Sequence, residues 1–342
     1  MIEYNERNAK RWSALGERPV FGMTVFEMAK DDPDIMAVVA DVTSSAGLRQ
    51  MHEAFPDRVV NVGIAEQNMM GIATGLASEG YKVVTSTFAP FQSMRCLEQI
   101  RVYQGYMEQK LVMVGLLGGL ASGYLGHTHC AIEDAALLRA IPNVAVVSPC
   151  DCMEVAKTVE AAFAYETSVY IRLLGNVKIP IVYREDYSFA IGRAIKLHEG
   201  DDVAILAGGM MVHAALKAAD ALTEDGIHAT VFNVHTLKPL DQEMLDSLCG
   251  GFRVVVTVEE HTMIGGLGSA VAEYLSGKRN APRLFMMGIR DEYAHGASQG
   301  TMLKRYGLTA EGIEHEIRSV LEEKETCQTK KNMMRHSRVS LR

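Results

Sequence analysis

The chain of 342 residues has no apolar run near the roughly 20 residues that a helix needs to cross a bilayer, so no spanning helix is expected. Basic charge is not in excess. The net charge of -8 at pH 7 argues against a nucleic-acid partner, whose phosphates are held mainly by Lys and Arg. The opening stretch, MIEYNERNAKRW, has no apolar core of the kind a signal peptide carries. Paired cysteines are also missing. The six cysteines (Cys96, Cys130, Cys150, Cys152, Cys249 and Cys327) are scattered, the one close pair is C-x-C, and no second pair completes a zinc site. Reduced thiols in structural roles, in a cytoplasmic protein, are the expectation.

What remains is a chain that is 48% hydrophobic and long enough for two domains of ordinary size. Nine short apolar, β-branched runs read as strands: DIMAVVAD, KVVTST, LVMVGLL, VAVVSP, SVYIRLL, VAILAGG, ATVFNV, FRVVVTVEE and RLFMMGI. Helix-like segments such as EQNMMGIATGLASEG, MEVAKTVEAAFAYE and VHAALKAADALTEDG alternate with them, two ending at a Gly placed as a helix stop. Continuous apolar strands separated by helices imply an α/β protein of two three-layer domains with mostly parallel sheets. The polar stretch 177–202 reads as the connection, which puts the first domain at 1–190 and the second at 191–323. Residues 324–342, basic and without periodicity, read as a disordered tail. No internal repeat is visible.

Two stretches carry chemistry. In NVGIAEQNMMGIATGLASEG, Glu66 follows a short strand and opens a helix whose Gly71 and Gly75 would allow close backbone approach. Such a carboxylate is most often a dipole-stabilised surface group. Its apolar, small-residue flanks favour burial, where it could share a proton with a ligand nitrogen. In GYLGHTHCAIED, His127 and His129 are one residue apart. A metal site there would need further ligands, and only Cys130 and Glu133 are near, so no metal is expected in this chain.

These stretches, with STFAPFQSMRCLEQIR, resemble the pyrimidine-binding domain of transketolase and 1-deoxyxylulose-5-phosphate synthase. NVHTLKPLD and VVTVEEHTMIGGLGSAVAEYL resemble the C-terminal domain of the same family. The resemblance runs in order over roughly 18 to 320. The family's G-D-G motif and Asn-rich turn, which bind diphosphate and metal, are missing. The chain therefore resembles the C-terminal subunit of a split transketolase, and a separate N-terminal subunit would hold the diphosphate and Mg²⁺ of thiamine diphosphate.

The resemblance implies that Glu66 hydrogen-bonds N1′ of the aminopyrimidine, favouring the tautomer that takes the thiazolium C2 proton. It implies that Phe88 and Phe91 pack on the pyrimidine face, although two Phe at this spacing are otherwise plain core. Asp41, at the end of a strand, would lie near the cofactor and the subunit interface. His129 matches the histidine of G-P-T-H and would act on the substrate, with His127 shaping its site. Leu125 replaces the family's sugar-binding Asp. Phe21, Leu117 and Gly175 stand where the family has phosphate-binding Arg, His and Arg, which points to an unphosphorylated or nucleotide-linked sugar. Arg95 and Arg172 are retained and could hold an anion. A β subunit of a 2-oxoacid dehydrogenase or decarboxylase, or a non-catalytic regulatory homologue, are the alternatives. Two copies of each subunit are expected in the assembly.

Overall fold

A computed structural model describes residues 2–175, 178–293 and 295–322. The tail expected to be disordered, 324–342, lies outside the described residues. The strands are β1 (Ile35–Val39), β2 (Val59–Asn61), β3 (Lys82–Phe88), β4 (Val112–Leu116), β5 (Val144–Val147), β6 (Ser168–Arg172), β7 (Ile195–His198), β8 (Val203–Ala207), β9 (Ala229–Asn233), β10 (Thr236–Lys238), β11 (Val254–Thr262) and β12 (Arg283–Ile289). They form a seven-stranded sheet, β10-β5-β6-β4-β3-β1-β2, and a five-stranded sheet, β12-β11-β8-β9-β7. All pairings are parallel except β10 on β5 and β7 on β9. The fold is the two-sheet α/β architecture that the alternating pattern implied.

Alternation along each strand divides the core. In β1, Ile35, Ala37 and Val39 join one cluster while Met36 and Val38 join another, as the two-residue period of a strand requires. In β8, Val203, Ile205 and Ala207 face the first of these clusters and Ala204 and Leu206 a third. The first cluster therefore runs unbroken from one sheet to the other.

Two features blur the expected division near residue 190. Strand β10 leaves the second unit and pairs with β5, with Thr236 opposite Val147. Within the stretch expected to be plain connection, β7 pairs with β9, with Ile195 opposite Asn233. The edge of β9 supplies the hydrogen bonds, and Ile195 and Leu197, two residues apart, pack against the first cluster. The rest of that connection is tied down by Asp151, whose Oδ2 accepts from the amides of Val182 (2.9 Å) and Tyr183 (2.8 Å).

Two helices stop where glycine predicted. The helix Glu66–Ser78 is followed by Gly80 at φ 97°, and Met211–Glu224 by Gly226 at φ 76°, both in the left-handed region. Gly71 and Gly75, however, meet no backbone: a Cβ at either would find nothing within 4 Å. The close approach occurs elsewhere, at Gly22, where a Cβ would lie 2.1 Å from Gly47 O.

Candidate active site

In a parallel sheet the strand C-termini share one edge, and ligand-binding loops gather there. At this edge lie the loop after β1 with Asp41, the turn from β2 into Glu66, the end of β3 with Phe88, and the loop after β4 that runs to His129. Asn61, at the end of β2, ties two of them together. Its Oδ1 accepts from the amides of Asp41 and Gly63, each at 3.0 Å. Asp41 is exposed and held at φ 57°, a left-handed turn that a non-glycine residue adopts only with such support.

Glu66 is the first residue of its helix and 4% exposed. Its Oε1 accepts from Arg95 Nη1 at 2.6 Å. The Arg95 guanidinium also lies over the ring of Phe91, 4.0 Å from its centroid, and its main-chain oxygen accepts from Gln67 Nε2 at 3.1 Å. Phe91 in turn stands edge-on to His129 at 5.2 Å between centroids, with Phe88 at 6.0 Å from His129 and 6.2 Å from Phe91. Residues from four segments thus form one contact chain, Glu66–Arg95–Phe91–His129, with Phe88 packed beside it. Cys96, next to Arg95, is buried, and burial together with the nearby Glu66 charge pushes its thiol up to about 12, where it is inert.

The two histidines diverge. The ring of His129 faces Phe91 and Phe88, and its Nδ1 lies 2.9 Å from Thr128 Oγ1. The ring of His127 packs on Tyr293 of the second unit at 4.7 Å, and the Tyr293 hydroxyl donates to Glu133 Oε1 at 2.8 Å. Among the described residues, no group of three or more His, Cys, Asp or Glu is placed to hold a metal ion. Leu125, 59% exposed, lies on the same loop beside the exposed Tyr124.

Arg172 does not reach this rim. It is 3% exposed, its Nε donates to both carboxylate oxygens of Asp134 at 2.8 Å, and its Nη2 donates to Ala131 O and Glu260 O at 2.9 Å. Its charge and donors are spent inside the seam between the two units, so the reading of Arg172 as an anion ligand does not carry over. Arg95 is half-exposed, yet its charge faces Glu66.

Two of the substitutions read as lost phosphate donors take on a different meaning. Phe21 is fully buried in the core and never faces the edge. One turn earlier on the same helix, Arg18 donates from Nη1 to Ser45 O at 3.2 Å, at the loop after β1, so a guanidinium does stand there. Gly175 answers to packing: a Cβ would lie 2.1 Å from Ile179 Cδ1, and its amide donates to Glu17 Oε2 at 2.7 Å. Leu117 turns the chain out of β4 at φ 52°.

Residues 14–174 match the transketolase pyrimidine binding domain and residues 192–313 the transketolase C-terminal domain. The chain belongs to the transketolase family. It is 37% identical to an apulose-4-phosphate transketolase subunit of Phocaeicola vulgatus, over 86% of this chain and 94% of that one. It is also 37% identical to the 6-deoxy-6-sulfo-D-fructose transketolase subunit SqwH of a Clostridium species, over 88% of this chain and 92% of that one. Among solved structures, a split-gene transketolase described as an inactive β4 tetramer superposes with a TM-score of 0.81 at 37% identity, covering 90% of this chain and 99% of that chain. The transketolase of Campylobacter jejuni shares the fold at a TM-score of 0.75 and 19% identity, and this chain spans 46% of it. Transketolase subunits of the split kind are thus matched along nearly their whole length, single-chain transketolases along about half.

Proposed function

We propose that this chain is the pyrimidine-binding half of a split transketolase, which with a separate diphosphate-binding subunit moves a two-carbon ketol unit from a ketose to an aldehyde. The observation that carries this reading is the contact chain from Glu66 through Arg95 and Phe91 to His129. It sets a buried carboxylate, an aromatic wall and a histidine along one edge. Thiamine diphosphate, when bound, supplies the electron sink that stores the transferred unit. The residues present fit its pyrimidine end: a carboxylate for the ring nitrogen and Phe88 and Phe91 for the ring. The diphosphate and Mg²⁺ are assigned mainly to the partner.

Glu66 Oε1 is taken by Arg95, which leaves Oε2 to exchange a proton with the ring nitrogen. His129 is fixed by Thr128 through Nδ1, so Nε2 is the atom offered to the oxygens of the substrate. Asp41 and the face of Gly71 and Gly75 belong to the subunit contact. So do the apolar side chains beside Glu66 that this chain leaves open, Ile64 being 78% exposed. Two copies of each subunit complete the assembly, and the β4 tetramer of the split-gene relative supports self-association of such chains. The site of action assigned to the complex is the cytoplasm.

The substrate assigned is a sugar outside the ordinary pentose phosphates, with Leu125 at the position of the family's Asp and His127 shaping the site. The names of two relatives support a non-standard sugar, and both of those sugars carry an anionic group. Arg18 favours a second reading, in which the acceptor is itself anionic and Arg18 rather than Arg172 meets its charge.

Calorimetry with thiamine diphosphate and Mg²⁺ tests the reading, on this chain alone and mixed with a subunit carrying the missing domain. Binding is expected only in the mixture. Glu66→Ala is expected to lower turnover by about 10²–10⁴-fold, the range of a lost proton-transfer group. A mixture that forms a complex and binds no thiamine diphosphate sinks the reading.

A further inference from the structure

Among the contacts that the second unit makes with the loop carrying His129, one comes from a buried carboxylate. Glu260, in β11, points its Oε1 at the loop and accepts from the Leu120 amide at 2.7 Å. The same oxygen accepts from Gln299 Nε2 at 2.9 Å, while the Glu260 main-chain oxygen accepts from Arg172 at 2.9 Å. The carboxylate lies hard against the loop, since a Cβ on Gly119 would be 2.6 Å from Glu260 Oε1.

The backbone explains why an acceptor is needed. Leu117 and Gly119 both sit in the left-handed region, at φ 52° and 59°, so the chain turns out of β4. Gly118 still donates to Leu173 O at 2.7 Å and Gly119 to Ala131 O at 2.8 Å, and beyond them Leu120 has no strand beside it. The Leu120 amide is buried beyond that turn, where a donor must be met by something other than a neighbouring strand. Further along, Gly123 O accepts from Ala297 N at 3.2 Å, and Ile132 O from Thr262 N at 2.8 Å. The second unit thus grips the segment on both sides of His129. None of these contacts involves Glu66, Arg95, Phe88 or Phe91.

We infer that Glu260 is a positioning residue: by accepting the Leu120 amide it sets the path of residues 117–129 and so the place of His129 against Phe91. The second unit thereby governs the substrate end of the site and leaves the cofactor end alone. This rests on the role given to His129 above.

Two variants of the full chain separate the acceptor from the charge. Glu260→Gln keeps an oxygen for Leu120 and loses the charge, whereas Glu260→Asp keeps the charge and withdraws the oxygen by one methylene. Hydrogen–deuterium exchange of the peptide spanning Leu120–His129 is expected to rise about tenfold in Glu260→Asp, as for a lost hydrogen bond, and to stay at the parental rate in Glu260→Gln. In the assembled enzyme, with hydroxypyruvate as ketol donor and glycolaldehyde as acceptor, Glu260→Asp is expected to lower kcat roughly a hundredfold, the effect of a small misplacement at a reacting centre. Thiamine diphosphate affinity should stay unchanged, with Glu260→Gln restoring kcat. Parental exchange in Glu260→Asp, or Glu260→Gln as impaired as Glu260→Asp, overturns the inference. If Glu260→Asp does not fold, Gln299→Ala makes the same comparison by releasing the carboxylate from its brace, and unaltered exchange there overturns it too. An unsubstituted mixture that binds no thiamine diphosphate fails the functional reading instead, and the exchange data still decide what Glu260 does.

Discussion

Glu66 and Glu260 are both buried carboxylates held by hydrogen bonds, yet their surroundings differ in kind. Glu66 meets a half-exposed guanidinium, with open apolar side chains around it. Glu260 meets a main-chain amide, a side-chain amide and the neighbouring Asp134–Arg172 pair, all enclosed between the two units. A network complete within the chain holds structure. A carboxylate with one partner at an open rim is set up to meet something else. The two regions are joined by the single loop that runs from Leu117 to His129.

The sharpest break in that comparison sets one arginine against the other. Arg172→Ala leaves Asp134 buried and unpaired, and is expected to cost about 3–5 kcal/mol in a urea titration. Arg95→Ala removes a half-exposed partner from beside the buried Glu66, where water can enter at the open rim, and should cost less, about 1–3 kcal/mol. Equal losses would erase the distinction between seam and rim.

A second prediction concerns pH, and its effect is intermediate. Burial raises Glu260 to about 7 and depresses His261, which also faces the Arg172 charge, to about 4. A raised carboxyl holds its proton in the folded chain, so its contribution is full below about 4.5 and is lost as pH rises through 7. A depressed imidazole contributes fully above about 6.5 and is lost as pH falls through 4. Urea midpoints between pH 4 and 8 should therefore move in opposite directions. Relative to the unsubstituted chain, Glu260→Gln gains stability as pH rises, while His261→Asn gains as pH falls. Parallel profiles would mean that the seam is wetter than its burial indicates.

The smallest effect belongs to the rim. Leu125→Asp, at an exposed site, should leave stability within about 0.5 kcal/mol. Turnover of a polyhydroxylated ketose donor should rise about three- to tenfold, the worth of one hydrogen bond. Unchanged donor preference would remove Leu125 from the substrate site.

Much of this molecule was legible in its sequence because periodicity is local. All nine strands read from apolar runs exist, and the two helix-stopping glycines sit where predicted. β2 was legible only as the short strand before Glu66, while β7 and β10 were not, since three or four residues are too few to establish a period and their pairing is decided by the edge they meet. Glu66, Phe88, Phe91 and His129 could be named from their motifs. Asn61, Gln67 and Gln299 could not, because a side-chain amide shows its use only through its partners. Arg172 was misjudged for the same reason, its partner Asp134 lying 38 residues earlier in the chain. That Phe21 is core while Arg18, one helical turn earlier, reaches the loop after β1 could likewise be seen only in the fold.

The residue types and their order were enough to determine the α/β class with its two sheets and to single out Glu66 and His129, which folding brings to one sheet edge. Only the tertiary structure decided which charges are spent. Whether an arginine stays open, faces a carboxylate at the rim or meets a buried aspartate depends on what folding brings within 3 Å of it, and in Arg95 and Arg172 those partners come from distant segments. The same holds for the loop to His129, because a backbone amide that leaves its sheet must find an acceptor, and here the second unit supplies one in Glu260.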